Sequence, residues 1–311
     1  MRIRELSPNQ KFQGFLALRN VILKHGGGGP FLDLRLGDGE TEAVGRVWGF
    51  DGQPPRSNTV LWVEGVVGLY NNQSQLILSS FRPARPEEYR PGTFLPRCPV
   101  DGTRLWERLR QLAGLVAEPR LSRLLALVFA DPDLAERFRQ APGAVRHHHA
   151  YIGGLLHHTV NVTERALALA AGAVLETDML VTGALLHDLG KMDEYSWDGV
   201  TLGVTDQGRF VGHIVLGMIT VNRLAGSIPG LDGVFFDRLL HILASHHGKQ
   251  EWGSPVEPCT REALLVHMAD LADSRLFKME EARLLAPAGE NWSPPVPELG
   301  RVWAGEAAER G

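Results

Sequence analysis

Five prolines, Pro83, Pro86, Pro91, Pro96 and Pro99, separate two stretches of this chain that follow different hydrophobic periods. Proline fixes its own φ and lacks an amide hydrogen, so this stretch is no helix interior and reads as a linker. Ahead of it, apolar residues alternate with polar ones and turn residues interrupt them, as in short strands. Phe15–Leu23 runs into Gly26–Pro30, residues 31–36 alternate, and residues 43–48, 59–70 and 75–81 follow the same habit. About five strands in some 70 residues predict a small closed all-β barrel of the OB-fold type.

Alternation also assigns the faces of that barrel. Leu32, Leu34 and Leu36 point inward with Ala43, Gly45 and Val47, leaving Phe31, Asp33, Arg35, Val44, Arg46 and Trp48 outside. Phe31, Arg35, Arg46 and Trp48 supply the stacking surfaces and cations that a single nucleic-acid strand needs. The alternative is a solvated face with Trp48 packed on its neighbour.

After residue 103 the period becomes helical. Apolar residues recur at helical spacing from Leu105 to Leu115 and from Leu121 to Phe129, and Asp131-Pro132 starts a further segment. Helices follow over 155–171, 178–187, 213–224, 235–245 and 261–285, which makes the second part all-α. The expected division is a nucleic-acid-binding barrel over 1–85, a linker over 86–103, a helical domain over 104–285 and a loosely held tail over 286–311.

Composition narrows the class. The net charge of −4 divides unevenly: residues 1–97 carry 12 Lys and Arg against 9 Asp and Glu, so the acidic excess falls in the helical part. The first part is the better partner for a polyanion. Only Cys98 and Cys259 occur, which offers no disulfide framework; packing is their expected role. The start lacks an apolar run of signal-peptide kind and no segment is long enough to span a bilayer, so a cytoplasmic protein without membrane contact is expected.

The chemistry concentrates in the helical part. His187-Asp188 lies in Ala184-Leu-Leu-His-Asp-Leu-Gly-Lys191, with His157-His158 upstream and His213, His246-His247 and Asp270 downstream. Imidazoles and carboxylates in this order, each beside apolar helical sequence, point to a metal centre. With no cysteine among them, a structural thiolate zinc site is excluded, and Mn, Co, Fe or catalytic Zn fits the donors. The candidate ligands are His158, His187, Asp188, His213, His246, His247 and Asp270, with Asp188 as the bridge between two ions. Two such ions about 3.5–4 Å apart can hold a hydroxide and polarise a phosphoryl oxygen. Lys191, three residues after Asp188 and so on the same helical side, is the catalytic cation. His247 stands either on the metal or beside it; His157 supports the ligands from behind or faces substrate; His147-His148-His149 contact substrate or an outer ion, or simply solvent. His25, His241 and His267 are assigned no role.

These motifs resemble the HD metal-dependent phosphohydrolases, an all-α superfamily. Tyr151-Ile-Gly-Gly-Leu-Leu-His-His-Thr-Val160, Leu186-His-Asp-Leu-Gly-Lys191, Gly212-His-Ile214 and residues 245–255, behind an OB-fold, resemble more narrowly the bacterial YhaM-type 3′→5′ exoribonucleases. The resemblance implies Mn²⁺- or Co²⁺-dependent removal of 5′-monophosphates from the 3′ end of single-stranded RNA, sometimes single-stranded DNA, often by a homo-oligomer. One departure is His157, where that family usually carries Glu. The competing enzyme reading is an HD phosphodiesterase for small nucleotides with a regulatory barrel; a third is a binding protein that keeps an inactive HD shell.

Overall fold

The computed structural model describes residues 1–70, 73–90, 92–145, 149–197, 200–287 and 289–305. Leu32, Leu34 and Leu36 are at most 1% exposed, as their alternation requires, and they centre the core of a five-stranded closed barrel. Its strands are β1 (Lys11–Gly26), β2 (Gly29–Gly37), β3 (Glu42–Trp48), β4 (Thr59–Tyr70) and β5 (Gln73–Pro83). The long β1 pairs with β4 through Lys11–Leu18 and with β2 through Ala17–Gly26. A register shift between Leu18 and Asn20 lets it serve both neighbours, because a bulge bends and twists a strand. Parallel pairing of β3 with β5 at Gly45↔Leu76 and Arg46↔Ile77 closes the cylinder. This is the OB-like barrel predicted above.

The barrel unit comprises Met1–Arg97 together with Ser196–Gly203. It therefore includes much of the stretch expected as a linker. Phe94 is buried with Ala17 and Val60, and Arg19 donates to the carbonyl oxygens of Phe94 and Val200. The prolines prevent a helix here, while the apolar residues between them still find a surface to bury.

The second unit takes Cys98–Tyr195 and the chain from Val204 on. It is helical: α1 (Gly102–Ala113), α2 (Pro119–Phe129), α3 (Pro132–Gln140), α4 (Gly154–Leu169), α5 (Thr177–Leu186), α6 (Lys191–Glu194), α7 (Asp206–Val211), α8 (His213–Ala225), α9 (Gly233–Ser245) and α10 (Arg261–Leu284). The first helices start where their caps dictate. Asp131 accepts from the amides of Asp133 and Leu134 with Pro132 at the first helical position, and Glu118 with Pro119 repeats the device. Residues 179–186 of α5 are buried on every side, so this helix is the axis against which α4, α9 and α10 pack.

Two details depart from the periodicity. His187 ends α5 and Asp188 lies in the turn that leads to α6, so the pair stands at a helix end rather than within one. Residues 289–305, expected as a loose tail, form a clasp: Trp292 bridges Trp303, Val296 bridges Gly300, and Val302 and Ala304 are buried. Among the described residues no helix is long and apolar enough to cross a membrane.

Candidate metal centre

The turn after α5 approaches α8 closely enough to bring Asp188 beside His213. A Cβ on Gly190 would lie 2.0 Å from the carbonyl oxygen of His213, so only glycine permits this contact. α4 contributes His158, the end of α9 contributes His246 and His247, and α10 contributes Asp270.

Asp188 sits between two groups of imidazoles. Its Oδ2 lies 3.2 Å from His158 Nε2 and 3.3 Å from His187 Nε2, and these two ring nitrogens are 3.3 Å apart. Asp270 Oδ1 adds a second carboxylate 3.1 Å from His158 Nε2. On the other side, Asp188 Oδ1 lies 3.6 Å from both His213 Nε2 and His246 Nε2, and His247 Nε2 is 3.3 Å from His213 Nε2. All seven candidate ligands thus converge, His247 among them. Among the described residues three sets have donor atoms close enough to share an ion: His158–His187–Asp188, His213–His246–His247 and, behind the His158 ring, His149–His158–Asp273.

The second atom of every ring explains why Nε2 faces the centre. Nδ1 of His187, His246 and His247 donates to the carbonyl oxygens of Ala184, Leu243 and Trp252 at 2.8, 2.7 and 3.0 Å. Nδ1 of His158 donates to Asp273 at 2.7 Å, and that of His213 lies 2.9 Å from the Glu194 carboxylate. A proton held on Nδ1 leaves the Nε2 lone pair for a cation, the usual support of a metal-bound imidazole. Asp188 Oδ1 and His246 Nε2 are buried with no hydrogen-bond partner, two acceptors facing each other. Such an arrangement is costly for a protein alone and favourable around a cation. The donor set therefore fits divalent metal.

Charge in the metal-free protein follows the same geometry. Burial opposes ionisation of Asp188, yet Lys191, His187 and the bond from His158 hold its carboxyl well below the usual range. Burial likewise disfavours a charged His158, but Asp188, Asp270 and Asp273 outweigh it and keep the ring protonated well above its ordinary value. A metal ion would displace that Nε2 proton. Burial keeps His246 neutral, well below its ordinary value. Lys191 is buried, and its Nζ donates to Asp188 Oδ2 at 2.6 Å. Burial works against its charge, while Asp188 raises it above an ordinary lysine.

Of the residues that support the ligands from behind, Asp273 was not legible in the motif. Asp273 Oδ2 accepts from His149 Nε2 as well as His158 Nδ1, each at 2.7 Å, and its Oδ1 accepts from Asn161 and Arg165. His149 continues through Tyr151 to His157, each contact 2.7 Å, and Cys98 Sγ lies 3.6 Å from His157 Nδ1. His149 and His157 thus brace a ligand from behind. His147 and His148 lie outside the described residues. His267, assigned no role, donates to the carbonyl oxygen of His246 at 2.8 Å and lines the cavity in front of the centre. That cavity of about 550 Å³ also meets Asp188, Lys191, Tyr195, His213 and Asp270.

On the barrel, register places Phe31 opposite Trp48 and Asp33 opposite Arg46. The Phe31 and Trp48 rings are 4.7 Å apart, and Trp48 is 58% exposed. The arginines are engaged: Arg46 and Lys24 both pair with Asp33, and Arg35 pairs with Glu42.

This geometry defines an HD-type metal phosphohydrolase centre, and the HD domain family matches residues 155–274. The 3′-5′ exoribonuclease YhaM of Bacillus velezensis is 31% identical over 85% of this chain and 84% of its own. That of Halalkalibacterium halodurans is 30% identical over 85% and 82%. The chain belongs to the YhaM family. A replication protein A heterotrimer bound to ssDNA aligns with 24% of this chain and 57% of its own at 19% identity and a TM-score of 0.21, too slight a likeness to build on.

Proposed function

We propose that this protein is a metal-dependent 3′→5′ exoribonuclease acting on single-stranded RNA, and on single-stranded DNA as a second substrate. The observation that carries this reading is Asp188, whose two oxygens face separate imidazole sets inside a family of 3′-5′ exoribonucleases. His158, His187, Asp188 and Asp270 would hold one ion, and His213, His246 and His247 a second. Mn²⁺ is the expected metal, with Co²⁺, Fe²⁺ and Zn²⁺ compatible with the donors. When bound, the ions supply Lewis acidity that polarises a phosphodiester and acidifies the attacking water.

The remaining work falls to this chain's own residues. Asp273 holds the Nδ1 proton of His158 and fixes the aim of its Nε2 atom, and the Glu194 carboxylate faces His213 Nδ1 at 2.9 Å. Lys191, kept cationic against Asp188, lines the cavity and neutralises charge on the phosphoryl oxygens. Tyr195 lines the same wall. Burial and then neighbouring carboxylates push its phenol up to about 12, offset in part by Lys191, so it donates a hydrogen bond at neutral pH. On the barrel, Trp48 and Phe31 offer a stacking surface for bases.

A time course on 5′-labelled single-stranded RNA with metal-stripped protein, with and without Mn²⁺, tests the reading. A metal-dependent ladder that shortens from the 3′ end with release of 5′-monophosphates supports it. A strand left intact by metal-loaded protein that cleaves a small nucleotide diester would move the assignment to the small-nucleotide phosphodiesterase.

A further inference from the structure

Beyond the metal ligands, one face of α10 continues the cavity wall. Asp270, Ser274 and Lys278 follow one another at four-residue spacing, and Arg275 lies beside them; all four line the cavity. A helix rises 1.5 Å per residue, so Lys278 stands about 12 Å along the axis from Asp270. At that separation it meets a different phosphate from the one under attack.

Both cations are held by one residue of the C-terminal clasp. Arg275 Nη1 donates to the carbonyl oxygen of Glu298 at 2.8 Å, and Lys278 Nζ donates to Glu298 Oε2 at 2.6 Å. Glu298 stands at the tip of the tight turn closed by Val296 and Gly300, with φ at 67°. A non-glycine residue rarely adopts that conformation, and here it delivers the carboxylate to the cavity rim. The Glu298 side chain is 59% exposed, so its ion pair is screened and easily exchanged. A carboxylate oxygen on a lysine, next to a carbonyl oxygen on an arginine, presents the acceptors that a phosphodiester would bring.

We propose that Arg275 and Lys278 grip the RNA phosphate next to the scissile bond, and that Glu298 occupies their donors until the strand displaces it. The pair gives the centre a preference for a polynucleotide over an isolated phosphodiester. Glu298 makes that preference depend on a competition between its carboxylate and the substrate. This inference rests on the exoribonuclease reading above.

The test compares metal-loaded full-length protein and its Arg275→Ala, Lys278→Ala and Glu298→Gln variants on a short single-stranded RNA and on bis(p-nitrophenyl) phosphate. On RNA the two cation variants should lose about tenfold more kcat/KM than on the small diester, and the salt dependence of KM should flatten by about 0.7 per cation removed. Glu298→Gln should change RNA in the opposite direction, lowering KM about threefold by removing the charge that competes for Lys278, while the backbone contact to Arg275 stays. Equal losses on both substrates in the cation variants, or a raised RNA KM in Glu298→Gln, would overturn the proposal. Wild-type protein that degrades RNA alongside variants of unchanged KM removes this proposal alone. Wild-type protein that cleaves the small diester and leaves RNA intact removes the exoribonuclease reading and this inference with it.

Discussion

Asp273 accepts a hydrogen bond from His158 Nδ1 at 2.7 Å, which turns Nε2 of that ring toward Asp188 and Asp270. From behind the ring, the carboxylate sets the orientation and basicity of His158. Burial opposes its charge, and its bonds to His149 and His158 hold the carboxyl well below the usual range. Asp273→Asn should weaken Mn²⁺ binding about 10- to 100-fold, read by calorimetric titration of metal-stripped protein. Unchanged affinity would show that His158 needs no such partner.

Asp188→Asn tests the bridge. The amide keeps the shape of the side chain and an acceptor for Lys191, so circular dichroism should remain native. Activity on RNA should fall at least about a thousandfold, equivalent to about 4 kcal/mol of transition-state stabilisation. A variant retaining a tenth of wild-type turnover would contradict the bridging role.

The brace behind His158 also predicts a pH dependence in metal-stripped protein. Burial lowers His149 from 6.5 to about 4, against the opposing pull of Asp273. Between those values the unfolded chain binds a proton there that the folded chain does not, so stability falls as pH drops through this window. The loss from His149 is about 3 kcal/mol when the window has been crossed, and none of it is felt above pH 6.5. His246 and His247, lowered chiefly by burial, act in the same sense. His158 acts oppositely: its contribution is full below 6.5 and is lost as pH rises through its raised folded value. Urea unfolding at pH 7 and pH 5 should show the loss, and His149→Gln should shrink it.

On the barrel, Trp48→Ala should weaken binding of single-stranded RNA by about 1–3 kcal/mol if a base stacks on this ring. Asp33→Asn should strengthen it, because Arg46 and Lys24 lose their intramolecular partner. Fluorescence anisotropy with labelled RNA reads both. An unaltered affinity in Trp48→Ala would assign this face to packing or solvent.

The legible part of this chain was the part encoded in local patterns. Alternation in residues 31–36 sufficed for the barrel core, and the order from His158 to Asp270 sufficed to name the residues that meet around Asp188. What escaped depends on pairing across the fold. Asp273 and Glu194 look like ordinary helical acids until α10 and α6 are brought against His158 and His213. Arg46 and Arg35 look available for phosphate until register sets them beside Asp33 and Glu42. The clasp over 289–305 has no periodicity of its own, and its order comes from burying Val302 and Ala304.

The most direct test of the account is a titration of metal-stripped protein with Mn²⁺ while RNA cleavage and bound metal are followed together. Two ions shared through Asp188 predict little cleavage until the second equivalent binds, with activity levelling at two per chain. Full activity at one equivalent, or cleavage by protein shown to be free of metal, would contradict a centre built around a bridging Asp188.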